Sequence, residues 1–91
     1  MAIAMLLDNP GGTQAQYDQV HAEVAPDNRP PAGLLYHVTG PTETGWRLVE
    51  VWESQEAADR FFQEQLGPAL QRANVPPRRP QVFPVHNIMQ P

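Results

Sequence analysis

Proline and glycine divide this chain before any other pattern does. Eleven prolines stand among 91 residues. The clusters NPGG (9–12), PDNRPPAG (26–33), GPTETG (40–45) and PPRRP (76–80) are turn and loop chemistry that a helix interior or a central strand does not tolerate. What lies between them must be short, and its order limits the fold.

AIAMLLD (2–8) is a continuous apolar run ending in NPGG and reads as a strand covered on both faces. Thr13 with Gln16 three residues on is a capping-box signature, opening a helix whose narrow apolar stripe is Tyr17, Val20 and Val24, with His21 at its solvent edge and Pro26 as its stop. LLYHVTG (34–40) and WRLVEVWE (46–53) are two strands expected to pair as a hairpin. Ser54 caps a second helix with Glu56 in its first turn. Ala57, Ala58, Phe61, Phe62, Leu66, Ala69 and Leu70 make one face of that helix, and Gly67-Pro68 is expected to kink or break it before a short second helix to about Asn74. QVFPVHNIM (81–89) is a last strand, held at a sheet edge because Pro84 cannot donate to a ladder.

The order strand, helix, strand, strand, helix, strand predicts a ferredoxin-like α+β sandwich, a four-stranded antiparallel sheet with both helices on one face. One domain over 1–91 is expected. The strands are nevertheless apolar at nearly every position, whereas a sheet wet on one side alternates. A domain of this size buries only about 60–65% of its unfolded surface, so a second copy of the chain is the expected cover for the bare face.

Composition narrows the function classes. The chain has no cysteine, which excludes thiolate nucleophiles and cysteine-held metal centres. All six basic residues are arginine, the net charge is −4, and Arg78-Arg79 is the longest basic run. Nucleic acid and anionic membrane, which demand clustered cations, are not expected as partners. MAIAMLL lacks the basic flank of a secretory signal, and no apolar run approaches the ~20 residues of a membrane span, so the cytoplasm is the expected location.

Glu50 is the conspicuous residue. It shares a strand face with Trp46, Leu48 and Trp52 by parity, and a carboxylate on a buried face requires partners or a raised pKa. Two roles follow: a glutamate bonded at a subunit seam, or a general base in an apolar pocket acting on an acidic phenol or enol. Tyr36, Trp46, Trp52, Phe61, Phe62 and Phe83 are either core or the walls that stack a flat ligand. Arg47, of opposite parity to Glu50, reads as a surface arginine.

GWRLVEVWESQEAADRFFQEQLGPAL, with HVTG before it and PVHNI at the end, resembles the dimeric α+β barrel superfamily, in its antibiotic-biosynthesis-monooxygenase-like branch. The resemblance implies a homodimer in which two sheets close face to face, helices outside, with the last strand reaching the partner. It implies a hydrophobic or aromatic small-molecule ligand and, in members of this type, cofactor-free oxygenation or isomerisation. Oxygenase sites of the family use an asparagine on the first strand, with tryptophan, arginine or histidine nearby. The first strand as read here ends at Asp8 and offers no asparagine. Haem-degrading members carry tryptophan and histidine on the second helix, where this chain has Phe61 and Phe62, so haem is not expected, and no other cofactor or metal is.

In such a barrel the fourth strand of one subunit approaches the second strand of the other, so His37 and His86 are expected to meet across the interface. Glu50, His37 and His86 are the candidate catalytic residues, and Tyr36, Trp46, Trp52, Phe61 and Phe62 the candidate ligand walls. The alternative is a non-enzymatic ligand-binding or structural dimer with a filled core.

Overall fold

A computed structural model describes all 91 residues. Strand β1 (Ile3–Pro10) leads to helix α1 (Gln14–Val24), a single 3-10 turn at Pro26–Asn28, the hairpin β2 (Leu34–Pro41) and β3 (Gly45–Trp52), helix α2 (Gln55–Phe61), a π-helical turn (Phe62–Leu66), helix α3 (Gly67–Arg72) and strand β4 (Gln81–Pro84). The sheet order is β2-β3-β1-β4 and every pair is antiparallel, which is the ferredoxin-like α+β arrangement the segment order implies.

Both caps form as their sequences dictate. Thr13 accepts from the Gln16 amide while Gln16 Oε1 accepts from the Thr13 amide, each at 3.2 Å, and Ser54 Oγ accepts from the Ala57 amide at 3.0 Å. Gly67-Pro68 opens the short second helix, and the irregularity expected there takes the form of a wide turn just before it. The wide turn at 62–66 takes up the missing proline donor, and Gly67 keeps right-handed helical angles with its amide bonded to the Phe62 carbonyl.

Two strand ends differ from expectation. β1 continues through Asn9-Pro10, paired with Trp46 and Gly45, and the chain turns only at Gly11, whose φ of 79° favours glycine. β4 stops at Pro84, opposite Ile3. Val85 still bonds to the Ala2 carbonyl at 2.9 Å, but there β1 has run out, so His86 lies beyond the ladder of its own subunit and is exposed.

The core sits where β1 and β3 meet α2: Ile3, Trp52, Ala57 and Ala58 are buried together, with Met5, Leu34 and Phe61 against them. Trp52, 1% exposed, is the anchor, and Phe61 packs on it at 5.4 Å between ring centroids. The opposite face of the sheet is bare. Val38, Val49 and Phe83 are 66%, 39% and 59% exposed there. On the same face Arg47 grips Asp8 through two bonds of 2.6 and 3.0 Å, and that bond holds the Asp8 carboxyl below its usual range.

Candidate functional site

Register places the polar side chains. In an antiparallel sheet, partners across the ladder point to the same face. His37 is opposite Glu50, Glu50 is opposite Met5, and Trp46 is opposite Asn9. All of these residues line a cavity of about 940 Å³ between the sheet and the helices, together with Tyr17 and His21 of α1. Glu50 is therefore inside the subunit, on the helix-covered face, and not at the bare face where a seam was one of its two expected roles.

The carboxylate is partnered on both oxygens. Trp52 Nε1 donates to Glu50 Oε1 at 3.0 Å, and His37 Nδ1 donates to Oε2 at 2.6 Å. Glu50 and His37 side chains are 21% and 23% exposed, so this short charge-assisted contact is largely desolvated and correspondingly strong. On the other side of the imidazole, His37 Nε2 meets the Tyr17 hydroxyl at 2.7 Å. The same hydroxyl is 3.2 Å from His21 Nδ1, and His21 Nε2 is 2.9 Å from Asn28 Oδ1. Six side chains, Trp52, Glu50, His37, Tyr17, His21 and Asn28, are thus joined in one line from the core to the exposed 3-10 turn. Desolvation first, then the Glu50 and Asp18 charges, push the Tyr17 hydroxyl above its usual range, so it stays protonated.

A second polar group stands beside the first. Trp46 packs tilted on Tyr17 at 5.7 Å, and its Nε1 is buried with no acceptor. Asn9, its ladder partner, accepts from Arg78 Nε at 3.3 Å, which occupies the carboxamide oxygen and leaves the amide hydrogens and the rest of the guanidinium as donors. Gly12 makes the space, since a Cβ there would lie 2.6 Å from Asn9 Nδ2 and 3.0 Å from Trp46 Cβ. The buried Trp46 N–H without an acceptor is a donor that a ligand carbonyl oxygen or oxyanion can meet.

Of the expected site residues, the structure brings together Glu50, His37, Trp46 and Trp52. Trp52 is core, with its ring against Phe61 and its N–H spent on Glu50. Phe61 and Phe62 are among the cavity lining, Phe62 being 41% exposed. Tyr36 also contributes to that lining but is opposite Val51, of the other parity from His37, and is 38% exposed. His86 is not among the lining of this subunit's cavity, and both His37 nitrogens are engaged within the subunit. Five residues enter that the chain's pattern hides. Periodicity places Tyr17 in a packing stripe and His21 at solvent, although a tyrosine and a histidine four apart share a helix face. Asn9 stands in turn chemistry, Asn28 in a loop and Arg78 in a connector.

No family model matches the chain, and no curated protein matches it in sequence. Solved structures do match in shape. A proposed antibiotic biosynthesis monooxygenase from Deinococcus radiodurans superposes with a TM-score of 0.63 at 16% identity, over 99% of this chain and 97% of that one. A point variant of SnoaB, a cofactor-independent oxygenase from Streptomyces nogalater, superposes with a TM-score of 0.61 at 15% identity, over 97% and 94%. The chain shares the ferredoxin-like α+β fold of these two structures.

Proposed function

We propose that this protein binds a flat hydrophobic phenol or enol in the cavity between sheet and helices, removes a proton from it through the Glu50–His37 pair, and so acts as a cofactor-free monooxygenase or isomerase. The observation that carries this reading is the carboxylate–imidazole contact of 2.6 Å set in a mostly apolar cavity of ligand size. A cavity of that volume speaks against a purely structural dimer with a filled core, while a non-enzymatic ligand-binding dimer would use the same cavity and is separated from the enzyme by turnover. Deprotonation makes an electron-rich carbanion or phenolate able to reduce dioxygen directly, and the donors at Asn9, Trp46 and Arg78 suit the oxyanion left behind. Asn9 on β1 also supplies the first-strand asparagine expected of such oxygenases, and the fold neighbours include one named as a cofactor-independent oxygenase.

The working unit in this reading is a homodimer. The bare sheet face, with Val38, Val49 and Phe83 exposed, is the surface that a second copy covers.

The test uses 1,8-dihydroxyanthrone, whose oxidation consumes one dioxygen and yields the anthraquinone and water. Oxygen uptake above the buffer rate is expected with the wild-type chain, and a fall of about 10²-fold with Glu50→Gln. Exchange of the anthrone C–H into heavy water without oxygen uptake would assign isomerase-type chemistry. Neither exchange nor uptake would defeat the proposal.

A further inference from the structure

Both nitrogens of His37 are occupied and both oxygens of Glu50 face inward partners, so neither group meets a ligand first. The Tyr17 hydroxyl stands between the imidazoles of His37 and His21. A phenol oxygen has one hydrogen and two lone pairs, so after serving two neighbours it can still accept one hydrogen bond from the cavity. We infer that Tyr17 Oη is the atom that exchanges a proton with the ligand, that His37 and Glu50 act through it, and that His21 and Asn28 are the outlet by which the proton reaches solvent. This inference rests on the reading of the cavity as a proton-transfer site.

Counting hydrogens supports it. The contacts Glu50–His37, His37–Tyr17, Tyr17–His21 and His21–Asn28 each need one hydrogen. Two neutral imidazoles and a phenol hold only three between them, and Asn28 presents its oxygen. The complete chain therefore contains one proton more than its neutral members, with the Glu50 carboxylate as counter-charge. It is the state reached after a proton has been taken up.

The step balances without electron transfer. The ligand O–H or C–H bond breaks and its hydrogen bonds to Tyr17 Oη. The hydrogen formerly on Oη moves to His37 Nε2, and the ligand is left as an anion. Uptake completes all four contacts, which is what favours it. Discharge runs the other way along the branch: His37 Nε2 returns its hydrogen to Tyr17 Oη, Tyr17 passes its own to His21 Nδ1, and the hydrogen on His21 Nε2 leaves beside Asn28. The exposed Asn28 has a φ of 58° and follows Asp27 at 59°, a left-handed pair in which asparagine is among the few residues at ease. That conformation turns its carboxamide onto His21.

The titratable groups around Tyr17 are Asp18 and His21 on its own helix, His37 on β2 and Glu50 on β3. Arg29, Asp59, Arg78 and Arg79 line the same cavity. The test uses 1,2-dihydroxyanthraquinone, which changes colour when it ionises, bound to the full chain and titrated by absorbance.

In the wild type the bound dye is expected to ionise at lower pH than the free dye. Tyr17→Phe keeps the ring against Trp46 and should bind the dye while restoring its free-solution midpoint. Asn28→Gly keeps the left-handed backbone and should leave the midpoint in place while slowing ionisation after a pH jump about tenfold. A Tyr17→Phe midpoint equal to wild type, with the midpoint lost in His37→Gln, would overturn the inference and leave the proton-transfer reading standing. No dye binding, or no midpoint change in the wild type, would bring down both.

Discussion

The two faces of the one sheet are built from alternate residues of the same strands and have opposite characters. On the helix-covered face, β3 places Trp46, Leu48, Glu50 and Trp52, and β2 and β1 add His37 and Asn9. Every charged group there is bonded to a neighbour. On the bare face the same strands place Val49, Val51, Val38 and Leu6, and β4 adds Phe83 opposite Ala4. The polar side chains there are the Asp8–Arg47 pair, Gln81 opposite Leu6 and Tyr36 opposite Val51. Polar side chains are concentrated where a packed layer can satisfy them, and apolar ones are exposed where another surface can cover them. The period-two geometry of a strand allows both functions in eight residues.

The comparison breaks most severely at Trp52. Trp52→Ala removes the one large side chain that is fully buried, along with the donor to Glu50, and should cost about 3–5 kcal/mol in urea unfolding. In a domain this small that should leave little folded protein. Stability near that of wild type would mean that the core lies elsewhere.

On the bare face, Val38→Glu combined with Val49→Glu introduces charges directly opposite one another. Sedimentation should show the variant as a monomer at concentrations where the proposed wild-type dimer forms, with a dissociation constant raised at least about 10²-fold. The inner-face chemistry should respond only through assembly. A wild type that sediments as a monomer would remove the assembly role of this face.

Glu50→Gln should be mild for folding, about 1 kcal/mol, because the amide retains an acceptor for Trp52 or for His37, while anthrone turnover falls by the larger factor given above. Equal losses of both would assign Glu50 to structure alone.

The smallest effect concerns the exposed pair. Arg47 lowers the Asp8 carboxyl pKa by its hydrogen bond, so the pair's contribution is complete above the unfolded carboxylate range and is lost as pH falls through the lower folded value. Asp8→Asn should flatten that acid limb of a stability–pH curve and nothing else. Glu23, lowered in the same way by Arg72, contributes the same sign from the other side of the molecule.

Much of this was legible in the chain because it is local. Thr13 with Gln16 and Ser54 with its first helical turn declare their helices within four residues, and strand parity alone puts Glu50 with both tryptophans. What the pattern hid depends on long-range contact. The 2.7 Å bond from Tyr17 to His37 spans 20 positions, and periodicity on α1 marks Tyr17 only as apolar edge. Asn9-Pro10 carries turn chemistry, yet the ladder opposite Trp46 and Gly45 extends β1 until Gly11 supplies the conformation a turn needs. His86 follows an apolar run, but β1 ends before reaching it, and a strand requires a partner as much as a propensity.

The most direct test of the central claim is the ¹⁵N spectrum of the three histidine rings with and without a bound dihydroxyanthraquinone. The account predicts that His37 shifts toward the doubly protonated form as the ligand becomes an anion, while His21 stays singly protonated with its hydrogen on Nε2 toward Asn28. A spectrum in which His37 does not respond to the ligand would contradict it.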